Sequence, residues 1–156
     1  MWMLTAVGLL GSGAVLAGGV AGGAADAGVP EADLAYHGTV AMAAGRIDVR
    51  LTPRNHGPDA VDDATVRLRW SAPLGGAQDL PAGCARAGEQ VVVCRTGPLP
   101  ADGTGEEIRL TVRLRDAASE VTLGLDTVWG GGSVDRNHAN DRQQVLALDT
   151  GDVYAF

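Results

Sequence analysis

Leu80-Pro81-Ala82-Gly83-Cys84, then Val91-Val92-Val93-Cys94, then Leu99-Pro100-Ala101-Asp102-Gly103: this stretch decides the fold. Two Leu-Pro corners flank a hairpin-like segment bracketed by two cysteines. Pro fixes φ and Gly adopts backbone angles that strands do not use, so both corners read as turns. Between them, residues 90–95 read as a short apolar strand carrying Cys94. Outward from here the hydrophobic period is two rather than 3.6. Ile47, Val49 and Leu51 alternate with Arg46, Asp48 and Arg50. Val66, Leu68 and Trp70 alternate with Arg67 and Arg69. Ile108, Leu110, Val112 and Leu114 alternate with Arg109, Thr111, Arg113 and Arg115. Residues 34–42 alternate loosely, 121–129 continue the rhythm, and Val145 to Leu148 close it. The cluster 53–59 (Pro-Arg-Asn-His-Gly-Pro-Asp), the segment 73–83 and the run 130–141 read as loops. The pattern predicts an all-β chain, an antiparallel β-sandwich of about seven strands over residues 33–150, each strand wet on one side and buried on the other.

Composition bounds the rest. A chain of 156 residues makes one domain, and 46% hydrophobic residues suffice for a packed core. Aromatics are 4%, so that core must come from Val, Leu, Ile and Ala. The net charge of −7 disfavours nucleic acid as a partner, because phosphate requires a basic footprint. All 12 basic side chains are Arg. Beside 23 Gly and abundant Ala, this reads as GC-rich coding bias rather than a selected need for guanidinium geometry.

Residues 1–27 hold an apolar run, Leu4 to Val20, and Ala25-Asp26-Ala27 offers a small-residue cleavage pattern. A signal peptide is expected; an uncleaved membrane anchor is the alternative, weakened by the glycines within the run. Residues 28–32 read as a linker and 151–156 as a short tail, packed on an edge or frayed. Export would place Cys84 and Cys94 in an oxidising compartment, where pairing is expected, stabilising by roughly 2–3 kcal/mol for so short a loop. A free thiol pair or a metal site are the alternatives, the second short of ligands.

The order of landmarks resembles a bacterial Ig-like family, the conserved-repeat domain of secreted and cell-surface proteins, and is similar in appearance to CARDB adhesion-associated domains. The resemblance rests on Asn55-His56-Gly57-Pro58-Asp59-Ala60, Leu80-Pro81-Ala82-Gly83, Val93-Cys94 with Leu99-Pro100-Ala101-Asp102-Gly103, and Asp135-Arg136-Asn137-His138-Ala139-Asn140-Asp141. It spans about residues 33–149. Two departures stand out: Cys84 follows Gly83 directly, and Asp141 replaces a second asparagine. The resemblance implies an Ig-like sandwich outside the cytoplasm and no assigned activity.

Chemistry-bearing motifs are sparse. Ser133 fails the nucleophile-elbow pattern, and His37, His56 and His138 are isolated in sequence, so no enzyme activity and no cofactor are expected. Asp135, Asn137, Asn140 and Asp141 supply hard oxygens of the kind Ca²⁺ takes, without the central Gly or terminal Glu of an EF-hand; such residues more commonly hold their own turn. Asp59, Asp62 and Asp63 form a second acidic loop. Arg46, Arg50, Arg109, Arg113 and Arg115 fall on outward faces. If the strands over 46–52 and 107–115 are neighbours, their arginines form a band suited to carboxylate or phosphate. The expectation is a monomeric, non-catalytic secreted or surface module, recognising a cell-wall polymer or another surface protein. A membrane-tethered domain and an accessory domain of an extracellular hydrolase are the alternatives.

Overall fold

The computed structural model describes residues 28–156; the expected signal or anchor segment lies outside the described residues. In chain order the strands are β1 (Glu31–Ala32), β2 (Leu34–Ala43), β3 (Arg46–Asn55), β4 (Thr65–Trp70), β5 (Cys84–Gly88) and β6 (Val91–Arg95). They continue as β7 (Gly103–Thr104), β8 (Ile108–Arg113), β9 (Glu120–Trp129), β10 (Val134–Asp135), β11 (Arg142–Leu148) and β12 (Val153–Ala155). No helix occurs among the described residues.

Two five-stranded antiparallel sheets face each other. One runs β11-β9-β4-β6-β5. The other runs β12-β2-β3, with β7 and β8 sharing the outer flank of β3. A small parallel pair, β1 with β10, lies apart from both.

The two-residue rhythm explains the layering. Successive side chains point to opposite faces of a strand. Val49, Leu51, Leu110 and Val112 therefore meet Val66, Leu68, Trp70, Leu123 and Leu125 from the facing sheet in one buried cluster. Each such side chain contributes roughly 1.5–3 kcal/mol by leaving water. Trp70 is plain core, fully buried. A smaller cluster of Ala32, Leu34, Val61, Ala64 and Leu99 plugs one end of the sandwich.

Several expectations need correction. Strand β5 was not predicted, because Cys84-Ala85-Arg86-Ala87-Gly88 has little apolar contrast. Residues 151–156 take the edge-packed of the two forms expected for them: β12 pairs with β2 through Val153↔Ala41 and Ala155↔Thr39. Strand β3 runs on to Asn55 through the expected turn, its partner β2 matching it residue for residue from Leu34 to Ala43.

The turn that follows is organised by Asn55, which is fully buried. Its Oδ1 accepts from Gly57 N (2.9 Å) and Asp33 N (3.2 Å). Its Nδ2 donates to Asp59 O (2.7 Å) and Pro100 O (3.3 Å). One side chain thus ties the β1–β2 junction, its own turn and the loop before β7. Gly57 is required beside it: a Cβ there would meet Ala32 Cα at 2.5 Å and Asp33 N at 2.7 Å.

Cys84 and Cys94 form a disulfide, which settles the open alternatives. They stand directly opposite each other in the β5–β6 hairpin, with Cα atoms 4.0 Å apart. The bond therefore cross-links neighbours within one sheet and does not join the two sheets.

Candidate functional site

Strands β3 and β8 are neighbours, so the conditional arginine band exists. The register sets Arg46 opposite Arg113, Asp48 opposite Thr111 and Arg50 opposite Arg109. All four arginines are exposed, while Ile47, Val49, Leu110 and Val112 between them are buried. Arg54, also exposed, extends the same face along β3. Sequence reasoning missed it by assigning it to a turn, although 46, 50 and 54 share one parity. Arg115 does not join the band: it lies past the end of β8, and its Nη2 donates to Glu89 Oε1 (3.1 Å), in the turn between β5 and β6.

Asp48 sits amid the band. Arg46 binds its carboxylate with Nε (3.2 Å) and Nη2 (3.0 Å), and Thr111 Oγ1 donates to it (2.5 Å). Its carboxyl is held below the usual carboxylate range, first by the Arg46 hydrogen bond and then by that from Thr111, with the Arg46 and Arg113 charges adding to both. Arg109 is engaged by Glu107, two residues earlier on the same face. Arg50 and Arg113 have no carboxylate within 4.0 Å among the described residues. Arg54 has none either, so the band offers three unengaged guanidiniums within a partly neutralised frame.

Beside the free flank of β8 runs an open groove of about 790 Å³, walled by residues 77–81 and by Arg46, Arg109, Thr111 and Arg113. Its wall is fixed. Gln78 donates to Arg113 O (3.0 Å) and accepts from Arg113 N (2.9 Å). Arg86 donates to the carbonyls of Leu74, Gly75, Gly76 and Glu89. A second groove of about 460 Å³ continues from Pro81 and Arg109 towards Arg95 and Pro98.

The loop proposed for Ca²⁺ is occupied with holding itself. Asp135 Oδ2 accepts from Leu34 N and Oδ1 from Asn137 N, both at 2.8 Å. The amides of Asn137 and Asn140 donate to Asp33 Oδ1 (3.3 and 2.8 Å). Asp141 is buried and meets His138 Nδ1 at 3.1 Å. These bonds fasten the loop to the start of β2. Among the described residues no three His, Cys, Asp or Glu converge as a metal cage. The second acidic loop is likewise divided: Asp59 accepts from Glu31 N (2.7 Å), Asp63 takes Gly97 N (3.0 Å) and Arg95 (2.5 Å), and Asp62 is exposed.

His37 and His56 are exposed, on β2 and in the Asn55 turn respectively. Ser133, His138 and Asp141 line one shallow depression of about 200 Å³ beside the half-exposed Trp129. Only the His138–Asp141 contact is made among the described residues. A scan against protein-family models finds no match to this chain, and a search of curated proteins finds none.

Proposed function

We propose that this chain is a non-catalytic recognition module of a secreted or cell-surface protein, an Ig-like sandwich of the conserved-repeat kind. It binds carboxylate or phosphate groups of an anionic partner across Arg46, Arg50, Arg54, Arg109 and Arg113. The observation that supports this reading is the register: two arginine pairs stand directly opposite one another on β3 and β8. Like charges in that position destabilise a sheet by tenths of a kcal/mol or more, of order 0.2–1 kcal/mol per pair. A chain with net charge −7 has carboxylates enough to dilute such a patch, yet Arg50, Arg54 and Arg113 stay unengaged. An anionic ligand relieves that repulsion and gains charge-assisted, bidentate bonds.

Retention on isolated anionic wall material and on immobilised polyphosphate tests the reading, comparing the mature protein with Arg109→Glu/Arg113→Glu. Both side chains lie on the solvent face, so the core is untouched. Binding that falls with added salt and is lost in the double variant supports the proposal. Unchanged retention of the variant removes it. Recovery of the protein from culture supernatant, with its mature mass, tests export against membrane tethering.

A further inference from the structure

The peptide groups of β8 carry information that its arginines do not. In an antiparallel pair the N–H and C=O of alternate residues point away from the partner strand. Arg113 marks which ones: its N–H and C=O turn from β3 and are taken by Gln78 and Gly75. By the same alternation the N–H and C=O of Thr111 and Arg109 face outward, and no partner binds them among the described residues. They open onto the groove whose floor includes Leu110 and whose wall includes Leu80 and Pro81.

We infer that β8 accepts an extended acidic polypeptide segment as an added strand, hydrogen-bonded to Arg109 and Thr111, with its carboxylates on the arginine face. This rests on the reading of that face as a ligand surface. Two independent features converge on the same occupant. Unpaired edge groups call for another backbone, which a polysaccharide or a polyphosphate does not supply. Charged side chains on an edge discourage apolar strands from pairing there. Those same charges admit a strand that brings acids, because cross-strand neighbours on one face stand about 5 Å apart. The acids already facing the site are Asp48, Glu107 and Asp79. Asp48 is engaged by Arg46 and Glu107 by Arg109, which leaves Arg113 as the unengaged guanidinium of β8 beside the added strand, with Arg50 one strand further off on β3. Alternate residues of the added strand turn inward, towards Leu80 and the half-buried Ile108, so the fitting segment alternates acidic and apolar side chains.

The probe is a labelled nine-residue peptide alternating Glu and Val, followed by fluorescence anisotropy. Controls are a peptide of the same composition in two blocks, a peptide N-methylated at alternate amides, and polyphosphate. The expected result is saturable binding of the alternating peptide, weakened at least tenfold by N-methylation, by the block order and by Arg109→Glu/Arg113→Glu. Thr111→Pro removes an outward N–H that the β3 ladder does not use and is expected to weaken binding similarly. If that variant misfolds, the N-methylated peptide asks the same question of the wild-type protein. Equal binding of the N-methylated or block peptide, or binding of polyphosphate alone, overturns strand addition and leaves the arginine face standing. Failure of every anion to bind overturns both.

Discussion

Replacing Asn55 by Ala removes the four hydrogen bonds that gather the β1–β2 junction, the turn at 55–59 and the loop ending at Pro100. Two of them are short, at 2.7 and 2.9 Å, and two longer, at 3.2 and 3.3 Å. A net bond contributes about 1 kcal/mol, and a buried group left without a partner loses its hydration as well. Discounting the longer pair, the loss comes to about 3–4 kcal/mol. A domain of this size loses roughly 3–5 °C of Tm per kcal/mol, so the melting point drops by roughly 10–18 °C. Urea unfolding followed by circular dichroism reads the change as a lower midpoint at an unchanged slope. His56→Ala is the neighbouring reference: its side chain is exposed, and its backbone N–H still reaches Asp33 O (2.8 Å). It is expected to stay within about 0.5 kcal/mol of wild type. Asn55→Asp keeps the acceptor but turns a carboxylate on the carbonyls of Asp59 and Pro100. Burial raises the pKa of that introduced acid above its unfolded value, so the penalty is full at neutral pH and shrinks as pH falls. A loss below about 1 kcal/mol in Asn55→Ala refutes the idea that one side chain governs these three segments.

Two further outcomes follow from buried groups. The Tyr36 phenol is pushed up to about 12 by burial, against the hydrogen bond with Thr127 and with the help of the carboxylates of Asp141, Asp135 and Asp126. Its native pKa lies above the unfolded value, so this contribution is whole below about pH 10 and declines by roughly 2–3 kcal/mol as pH rises to about 12; Tyr36→Phe removes that alkaline loss, and identical alkaline melts for wild type and variant contradict it. Cys84→Ser/Cys94→Ser is expected to lose roughly 2–3 kcal/mol, or about 8–12 °C of Tm, with unchanged far-ultraviolet dichroism, whereas two free thiols in natively purified protein remove the premise.

What the sequence made legible was the contrast between neighbouring residues. Arg46 to Leu51 and Ile108 to Leu114 alternate charge with aliphatic carbon, and that contrast predicted both the strands and their buried faces. Where contrast is weak, the pattern is silent. Strand β5 is built of Ala, Arg and Gly, and is held by its disulfide partner and the β6 ladder rather than by apolar burial. The continuation of β3 through Pro53 was hidden because proline and glycine chemistry dominates residues 53–58. It persists because Tyr36 stands opposite Pro53, and Pro53 O takes Gly105 N (2.9 Å). The arginine band was legible only as a condition, since strand adjacency is a non-local fact. Arg54 and the unpaired peptide groups of Arg109 and Thr111 depend on register, which side-chain types alone do not encode.

The pairing of β12 with β2 has a mechanical consequence. The two strands run in opposite directions, and Phe156 exchanges two backbone bonds with Gly38 (3.0 and 3.1 Å). The polypeptide therefore enters β2 and leaves β12 at the same end of the domain. Tension applied between those two points peels rungs in succession, starting at Phe156, instead of shearing a whole row together. The sulfur bridge sits in the opposite sheet, outside the loaded path. Under pull the domain sheds its last strand first, while the hairpin around Cys84 and Cys94 bears none of the load.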